Sequence, residues 1–489
     1  MTRRTRLVAA AIAAAATSLA VGLTTATAHD PVIGVVPNAV SGELAPGESM
    51  TVDKTVHTIA IPPLVDIFLL EDETGSFGDD IANLQALAAP GGPLIMALDA
   101  TGANYATGVG GFRDFAQSTW GSTGDWVYKR YSDVTLGGAG LVAGVPLLTA
   151  GGGNDDPEAQ LEALHYLAVP GHPAIDSNGD GDTTDANDTA TGLQPTWRAG
   201  TKRVVLLATD NACHVTGDSG GWPGDAGTTS ALTTAGILAG ADITVIGLTP
   251  GGAGFGCVDV LASNTGGTVQ STTSSGSDIV DAIIEGLGNL PVTVTPSAVC
   301  DAGLSLSFAP ASRTVTSGDD AVFTETITAL ASAPQGTTIG CTVSFLVDGN
   351  PAGPLFTQTV RITIKDVTAP VVGCAETNNP SGGNVPNAGP GAGNSGQNPD
   401  GFYVLSATDN VDPTSMVSLT DSASGMTFGP WPSGTKIKLV QAPGATPGVK
   451  EGSGDIDFKV TINGDAIVTS TDAAGNVGRA SCLVPPPPK

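Results

Sequence analysis

The run Val65-Asp66-Ile67-Phe68-Leu69-Leu70, continued by Glu71-Asp72-Glu73-Thr74-Gly75-Ser76, decides how this chain folds. Its first half is short and almost wholly apolar, as a strand covered on both faces of a parallel sheet must be. Its second half sets a carboxylate and two hydroxyls at D-x-T-x-S spacing, on a turn at the strand's carboxyl end. Open α/β sheets hold their ligands at that end. Residues 107–112, 204–207 and 243–247 repeat the strand pattern. Residues 80–88, 158–168, 230–239 and 278–287 read as helices, the last with Ile279, Ile283 and Leu287 on one face. Such alternation predicts an α/β, doubly wound, mostly parallel sheet over 63–290.

Outside that span the writing changes. From about Val292 helical patterning stops, and short Thr/Val-rich strands such as Leu304-Ser305-Leu306-Ser307-Phe308 alternate with turns. This predicts all-β, immunoglobulin-like sandwiches, two of them, over 291–367 and 368–484, divided at Thr368-Ala369-Pro370. Residues 378–398 are rich in Gly, Asn and Pro, which predicts a long exposed loop. Residues 485–489 form a Pro-rich tail.

The amino end and the cysteines indicate the compartment. Arg3, Arg4 and Arg6 precede an alanine-rich apolar run, and Ala26-Thr27-Ala28 offers a small-residue cleavage point. Residues 1–28 therefore read as a signal peptide and predict export. No later stretch is long and apolar enough to span a bilayer. The expected product is secreted, either released or held at the cell surface. An exported chain with six cysteines predicts disulfides. Local pairing is the simplest connectivity: Cys213 with Cys257, Cys300 with Cys341, and Cys374 with Cys482. Lys and Arg number 19 against 47 Asp and Glu, a net charge of −28. That surface repels nucleic acid and anionic lipid and attracts cations.

The acids also cluster where chemistry is expected. Asp210 closes the strand at 204–207, so it arrives at the same sheet edge as Asp72. Carboxylates and hydroxyls together are hard oxygen donors that suit magnesium. In these pieces the stretch 63–290 resembles the I-like von Willebrand factor A domain of integrin beta chains. The resemblance implies a central adhesion site of Asp72, Thr74, Ser76, Glu158 and Asp210, taking Mg2+ or Mn2+. It places an adjacent calcium at Asp79 and Asp80. Gly153-Asn154-Asp155-Asp156-Pro157-Glu158 and Gly110-Gly111-Phe112-Arg113-Asp114 are similar to the family's segments for a third cation. Asp114, Asn154, Asp155, Pro157 and Glu158 carry that site, with the asparagine one place later than in the family. The family's specificity loop corresponds to residues 131–152, here without its cysteines. Trp197-Arg198 and the segment from Thr209 to Cys213 and His214 also resemble integrin beta sequence. The resemblance further implies that 29–62, with Pro46-Gly47-Glu48, and 291–367 form one interrupted hybrid-like sandwich. Residues 368–484 resemble hyalin-repeat modules.

One insertion is foreign to that family. Asp176, Asn178, Asp180, Asp182 and Thr184 alternate, Gly181 stands sixth, and Asn187 or Asp188 would close the set. This is EF-hand-like calcium-loop spacing, without an evident flanking helix pair. Gly217-Asp218-Ser219-Gly220-Gly221 copies a serine-protease nucleophile motif but follows a parallel strand, so no catalytic role is expected of it. His57, His165 and His172 look scattered and read as surface or packing residues. The expected protein is not an enzyme. It binds, through a divalent cation, a protein partner that presents an Asp or Glu carboxylate. The alternatives are a structural matrix or wall module and a serine hydrolase.

Overall fold

The computed structural model describes residues 33–218, 220–250, 256–273, 278–377, 401–413 and 415–483. The expected leader at 1–28, Ser219 of the protease-like motif, the expected loop at 378–398 and the tail at 485–489 lie outside the described residues.

The α/β unit is a six-stranded sheet of β1 (Leu64–Asp72), β2 (Asn104–Phe112), β3 (Lys129–Leu136), β4 (Lys202–Ala208), β5 (Ile243–Pro250) and β6 (Val269–Thr272). The spatial order is β3-β2-β1-β4-β5-β6. Every neighbouring pair is parallel except β2 with β3. The helices are α1 (Gly78–Leu87), α2 (Pro93–Ala100), α3 (Ala139–Gly144), α4 (Gln160–Ala168), α5 (Ala231–Gly240), α6 (Gly256–Thr265) and α7 (Ile279–Gly288).

Strand alternation divides these helices between two cores. Ile67 and Leu69 turn to one face with Val204, Leu206 and Ile246, where Ile81, Leu84, Leu98, Ile283 and Leu287 cover them. Phe68 and Leu70 turn to the other with Val205, Leu207 and Val245, beneath Leu161, Leu164, Leu238, Val258 and Leu261. Both faces are dry, which is why β1 reads as an unbroken apolar run. Each such buried Leu or Ile contributes roughly 1.5–3 kcal/mol. Ser230 caps α5 by accepting the Thr233 amide at 3.1 Å. At the sheet's amino edge Arg198 donates to Asp66, Asn104 and the Val65 carbonyl. That clamp joins β1 to β2 far from the loops that matter below.

Five elements of the α/β unit escaped the sequence pattern: β3, β6, α2, α3 and α6. β3 is an edge strand whose residues are all at least partly exposed, so it has no dry face to announce it. Together with α3 it occupies much of 131–152, which was read as a loop. α2 and α6 are short helices hidden among Gly, Pro and Thr.

The flanking strands meet in two sheets. Ser49–His57 pairs antiparallel with Asp320–Ala329 from Asp320 opposite His57 to Thr328 opposite Ser49. Ala39–Leu44 pairs in parallel with Thr357–Ile364. Strands before and after the α/β unit thus share both sheets of one β layer pair. The last β region packs Val371–Glu376, Phe402–Thr408, Thr435–Gln441, Phe458–Ile462 and Gly448–Glu451 in one sheet. Thr427–Pro432, Met416–Asp421, Ala466–Thr471 and Val477–Cys482 form the other. Three disulfides join Cys213 to Cys257, Cys300 to Cys341 and Cys374 to Cys482. No helix among the described residues is long and apolar enough to cross a membrane.

A buried ion pair pins the interrupted β unit. Lys54 Nζ lies 3.3 Å from Glu325 Oε2, with both side chains fully buried. Lys54 also donates to the Pro37 carbonyl at 3.0 Å, and Gln358 Nε2 donates to Glu325 at 2.9 Å. Burial lowers the Lys54 pKa, and Glu325 opposes that shift. Removing one partner strands the other charge, so Glu325→Ala should cost about 3–5 kcal/mol in urea unfolding. Lys54→Met with Glu325→Leu should cost much less, and equal losses would deny that the pair is what matters.

Candidate metal centre

The sheet order reverses between β1 and β4, and the crevice opened at such a point is where α/β sheets place their ligands. Asp72 ends β1 there and is fully buried. Its Oδ1 accepts from the Thr74 amide at 2.9 Å and from Thr74 Oγ1 at 2.7 Å. Its Oδ2 accepts from Thr209 Oγ1, at the end of β4, at 2.8 Å. Ser76 Oγ lies 3.4 Å from Thr74 Oγ1 and donates to Asp210 Oδ1 at 3.1 Å. Asp72, Thr74, Ser76 and Asp210 therefore form one linked set of oxygens.

Glu158 joins them from a third loop. A backbone bridge with Cys213 holds it beside the segment after β4. Asn211 Nδ2 donates to Glu158 Oε1 at 3.2 Å, while no amide or hydroxyl donates to Oε2. Asp114, just past β2, is buried against Glu158, and no amide or hydroxyl donates to either of its carboxylate oxygens. Glu71, also buried, leaves both of its oxygens unpartnered. Orphaned buried carboxylate oxygens are costly, and they need a proton or a cation.

The loop that frames the turn was missed in the sequence. Gly151 N donates to the Glu73 carbonyl at 2.9 Å, and Gly75 N donates to the Gly152 carbonyl at 3.2 Å. Gly153 N donates to buried Asp125 at 2.9 Å. At Gly152, φ is +85° and an added Cβ would fall 1.8 Å from Asp125 Oδ1. Only glycine fits there. Likewise a Cβ on Gly111 would strike Glu73 Oε2 at 2.0 Å. Glu73 is held by the Thr149 amide at 2.6 Å and the Tyr131 hydroxyl at 3.1 Å. The available signal was the triplet Gly151-Gly152-Gly153, directly before Asn154.

The electrostatics follow from burial. Burial raises the carboxyl pKa of Asp114 and of Glu158; a hydrogen bond between them raises Glu158 further and lowers Asp114, and Asp72 raises both. Burial lifts Asp72 to about 6 against the hydrogen bonds from Thr74 and Thr209. Asp80, in the first turn of α1, is also pushed to about 6, by burial and then by Asp210 and Asp79. Arg113 turns instead to Asp125 and the Thr149 carbonyl. A crowd of hard oxygens under mutual repulsion fits a divalent cation.

The expected outer sites are less compact. Asp79 is exposed beside Asp80. Of the third set, Asp114 and Glu158 stay together, but Asn154 Nδ2 donates to the Ser118 carbonyl at 3.1 Å. Asp155 lies 3.3 Å from His214 Nε2, and His214 stacks on Trp222. Pro157 carries the chain between them into Glu158.

The acidic insertion is a closed loop, sealed by a bridge between Ile175 and Thr189. Asp176 accepts from the amides of Gly179 and Gly181, and Asn178 accepts from Asp180 N. Asp180 and Asp182 each accept an amide two residues on. The third carboxylate near Asp180 and Asp182 is Asp185, which the EF-hand spacing did not single out. Asp188 is buried instead, and its two oxygens accept the amides of Ser177 and Asp185. Asn187 N donates to Asp185. Asp188 is thus a pin in the loop's base, because both of its oxygens are taken up by backbone amides. Ser177 O in turn accepts the Ala116 amide, which ties this loop to the segment bearing Asp114.

No protein-family profile matches the chain, and no curated protein does. Among solved structures, the chain is similar to proximal thread matrix protein 1 of the mussel byssus, at 14% identity and a TM-score of 0.29. That match covers 49% of this chain and 50% of the mussel protein, so the chain spans about half of that protein's length. The ArnB paralog VWA2 of Sulfolobus acidocaldarius matches at 9% identity and a TM-score of 0.29, over 67% of this chain and 72% of that one. At those scores the likenesses carry no argument about this chain.

Two outcomes are expected. Carboxyls whose folded pKa is raised stabilise the fold below their ordinary value of about 4 and lose that contribution as pH rises. The melting temperature of the chelated protein should therefore fall as pH rises from about 4.5 towards 8. Mg2+ should raise it by a margin that grows with pH, and a margin independent of pH would separate the cation from Asp114 and Glu158. In the insertion, Asp180→Ala with Asp182→Ala should lower Ca2+ stoichiometry by one in calorimetric titration. Unchanged stoichiometry would make the loop a solvated spacer.

Proposed function

We propose that this chain is a secreted, metal-dependent binding protein whose α/β unit is an integrin beta-like von Willebrand factor A domain. The observation that carries the reading is the convergence of Asp72, Thr74, Ser76, Glu158 and Asp210 from three loops at the switch point of the sheet. Asp72 and Asp210 join through the Thr74 and Ser76 hydroxyls in turn, and no amide or hydroxyl donates to Glu158 Oε2. Those five residues would hold Mg2+ or Mn2+. When bound, the cation supplies a Lewis-acidic position that a partner's Asp or Glu carboxylate completes.

The chain's own residues do the positioning. Thr74 and Thr209 fix both Asp72 oxygens, so the carboxylate is oriented before any ligand arrives. The Gly151–Gly153 segment holds the turn against Asp125 and keeps the Ser76 hydroxyl at the exposed rim. Asp79 and Asp80, Asp114 with Glu158, and the 176–188 loop would take Ca2+ and stiffen the neighbouring loops. The leader and the disulfides support export. The flanking β units are read as a hybrid-like sandwich and a hyalin-repeat-like module that hold the α/β unit away from its point of attachment.

Surface proteins of the producing organism, passed over the immobilised protein, should be retained in Mg2+ or Mn2+ and released by EDTA. Asp72→Ala and Asp210→Ala should each weaken retention by about 2–5 kcal/mol while the fold survives. Ser219→Ala should retain the partner as the wild type does. Equal retention by Asp72→Ala in EDTA would remove the proposal.

A further inference from the structure

Three side chains that the central site does not use meet at the other end of α4. His165 lies in the last turn of that helix, and His172 follows on a turn built around Gly171, whose φ is +74°. Asp225 comes from the loop before α5. His165 Nδ1 is 2.7 Å and His172 Nε2 is 3.1 Å from the same oxygen, Asp225 Oδ2. The rings stand edge to face at 5.1 Å, and both are mostly buried. The two histidines, read as scattered packing residues, are neighbours.

Two of the three donors are oriented from behind. Asp225 Oδ1 accepts the Gly227 amide at 2.6 Å, which leaves Oδ2 to face the rings. His172 Nδ1 lies 2.9 Å from the Pro173 carbonyl. A carbonyl only accepts, so Nδ1 carries the proton and the neutral ring presents its Nε2 lone pair to Oδ2. Two lone pairs facing each other repel unless a proton or a cation lies between them. A carbonyl behind a histidine and an amide behind a carboxylate are the outer supports that metal sites use. One ligand atom from each of the three residues lies within 4.8 Å of the others. Zinc bonds of about 2.0–2.2 Å bring such donors closer together than that limit.

The site has an open side. His165, His172 and Asp225 line a cleft of about 770 Å3 whose walls include Phe115, Val169, Ile175, Pro223 and Ile237. Buried Glu162, which accepts from Thr228 and Trp222, lines it too. Two imidazoles and one carboxylate suit zinc or ferrous iron. The disulfides point to an oxidising compartment, where ferrous iron is not kept reduced.

We propose that His165 Nδ1, His172 Nε2 and Asp225 Oδ2 bind a zinc-class ion. Its fourth position faces the cleft and takes water or the anionic head of a mostly apolar small molecule. This site is independent of the central one: its donors are mainly nitrogen, and Glu158 and His165 sit at opposite ends of α4.

Co2+ reports the difference, because tetrahedral nitrogen-containing sites absorb visible light far more strongly than octahedral oxygen sites. The whole protein, saturated with Ca2+ and Mg2+, should take one equivalent of Co2+ with a strong visible band that Zn2+ bleaches. His165→Gln and His172→Gln should each weaken Co2+ binding on the order of 100-fold. Asp72→Ala should keep the band. A wild type without the band, a band kept in both histidine variants, or one lost in Asp72→Ala would overturn the proposal. If either histidine variant fails to fold, proton NMR of the wild type decides. One equivalent of Zn2+ should shift the ring signals of both histidines, and unmoved signals would leave the three residues an ion pair.

Discussion

Carboxylates buried side by side at the carboxyl edge of the parallel sheet set the terms for everything around them. Glu71, Asp72 and Glu73 are consecutive and all buried, and Asp114 and Glu158 are buried beside them. An isolated ionised carboxylate in such a place is prohibitively costly, so each must be hydrogen-bonded, protonated or bound to a cation. Asp72 and Glu73 take the first course. Asp114 and Glu158 Oε2 receive no amide or hydroxyl donor and face each other, so the pair needs a shared proton or a cation. The topology creates the opportunity: β1 and β4 are neighbours where the strand order reverses, so Asp72 and Asp210 arrive together.

Rigidity around this edge comes from the local chain. Gly151, Gly152 and Gly153 take positive φ values so that their backbone lies against the turn and against Asp125. The disulfide from Cys213 to Cys257 ties the segment after β4 to α6. Farther away, the strands on either side of the α/β unit are zipped into common sheets and pinned by Lys54 and Glu325. Both ends of the α/β unit are therefore anchored in one β body.

Much of this was legible in the sequence, for physical reasons. β1, β2, β4 and β5 announce themselves because both faces are dry. The D-x-T-x-S turn marks the strand end, and the six cysteines pair locally as expected. What stayed hidden depends on contacts between distant residues. β3 has no dry face, and its place is set by pairing with β2. Asp125 and the glycine triplet gain meaning only once folding brings them together. Spacing pointed to Asp188 as a calcium ligand, yet its carboxylate turns into the loop base and Asp185 faces the other acids. His165 and His172 looked unrelated because their partner, Asp225, lies more than fifty residues on.

The central claim is that the buried carboxylates at the sheet edge exist to hold a divalent cation. Crystals grown with Mn2+, measured for anomalous scattering, would show this directly. The account predicts an anomalous peak within bonding distance of the Ser76 hydroxyl and among the oxygens of Asp72, Glu158 and Asp210. Peaks confined to the 176–188 loop, with Asp114 and Glu158 drawn together by a shared proton, would contradict it.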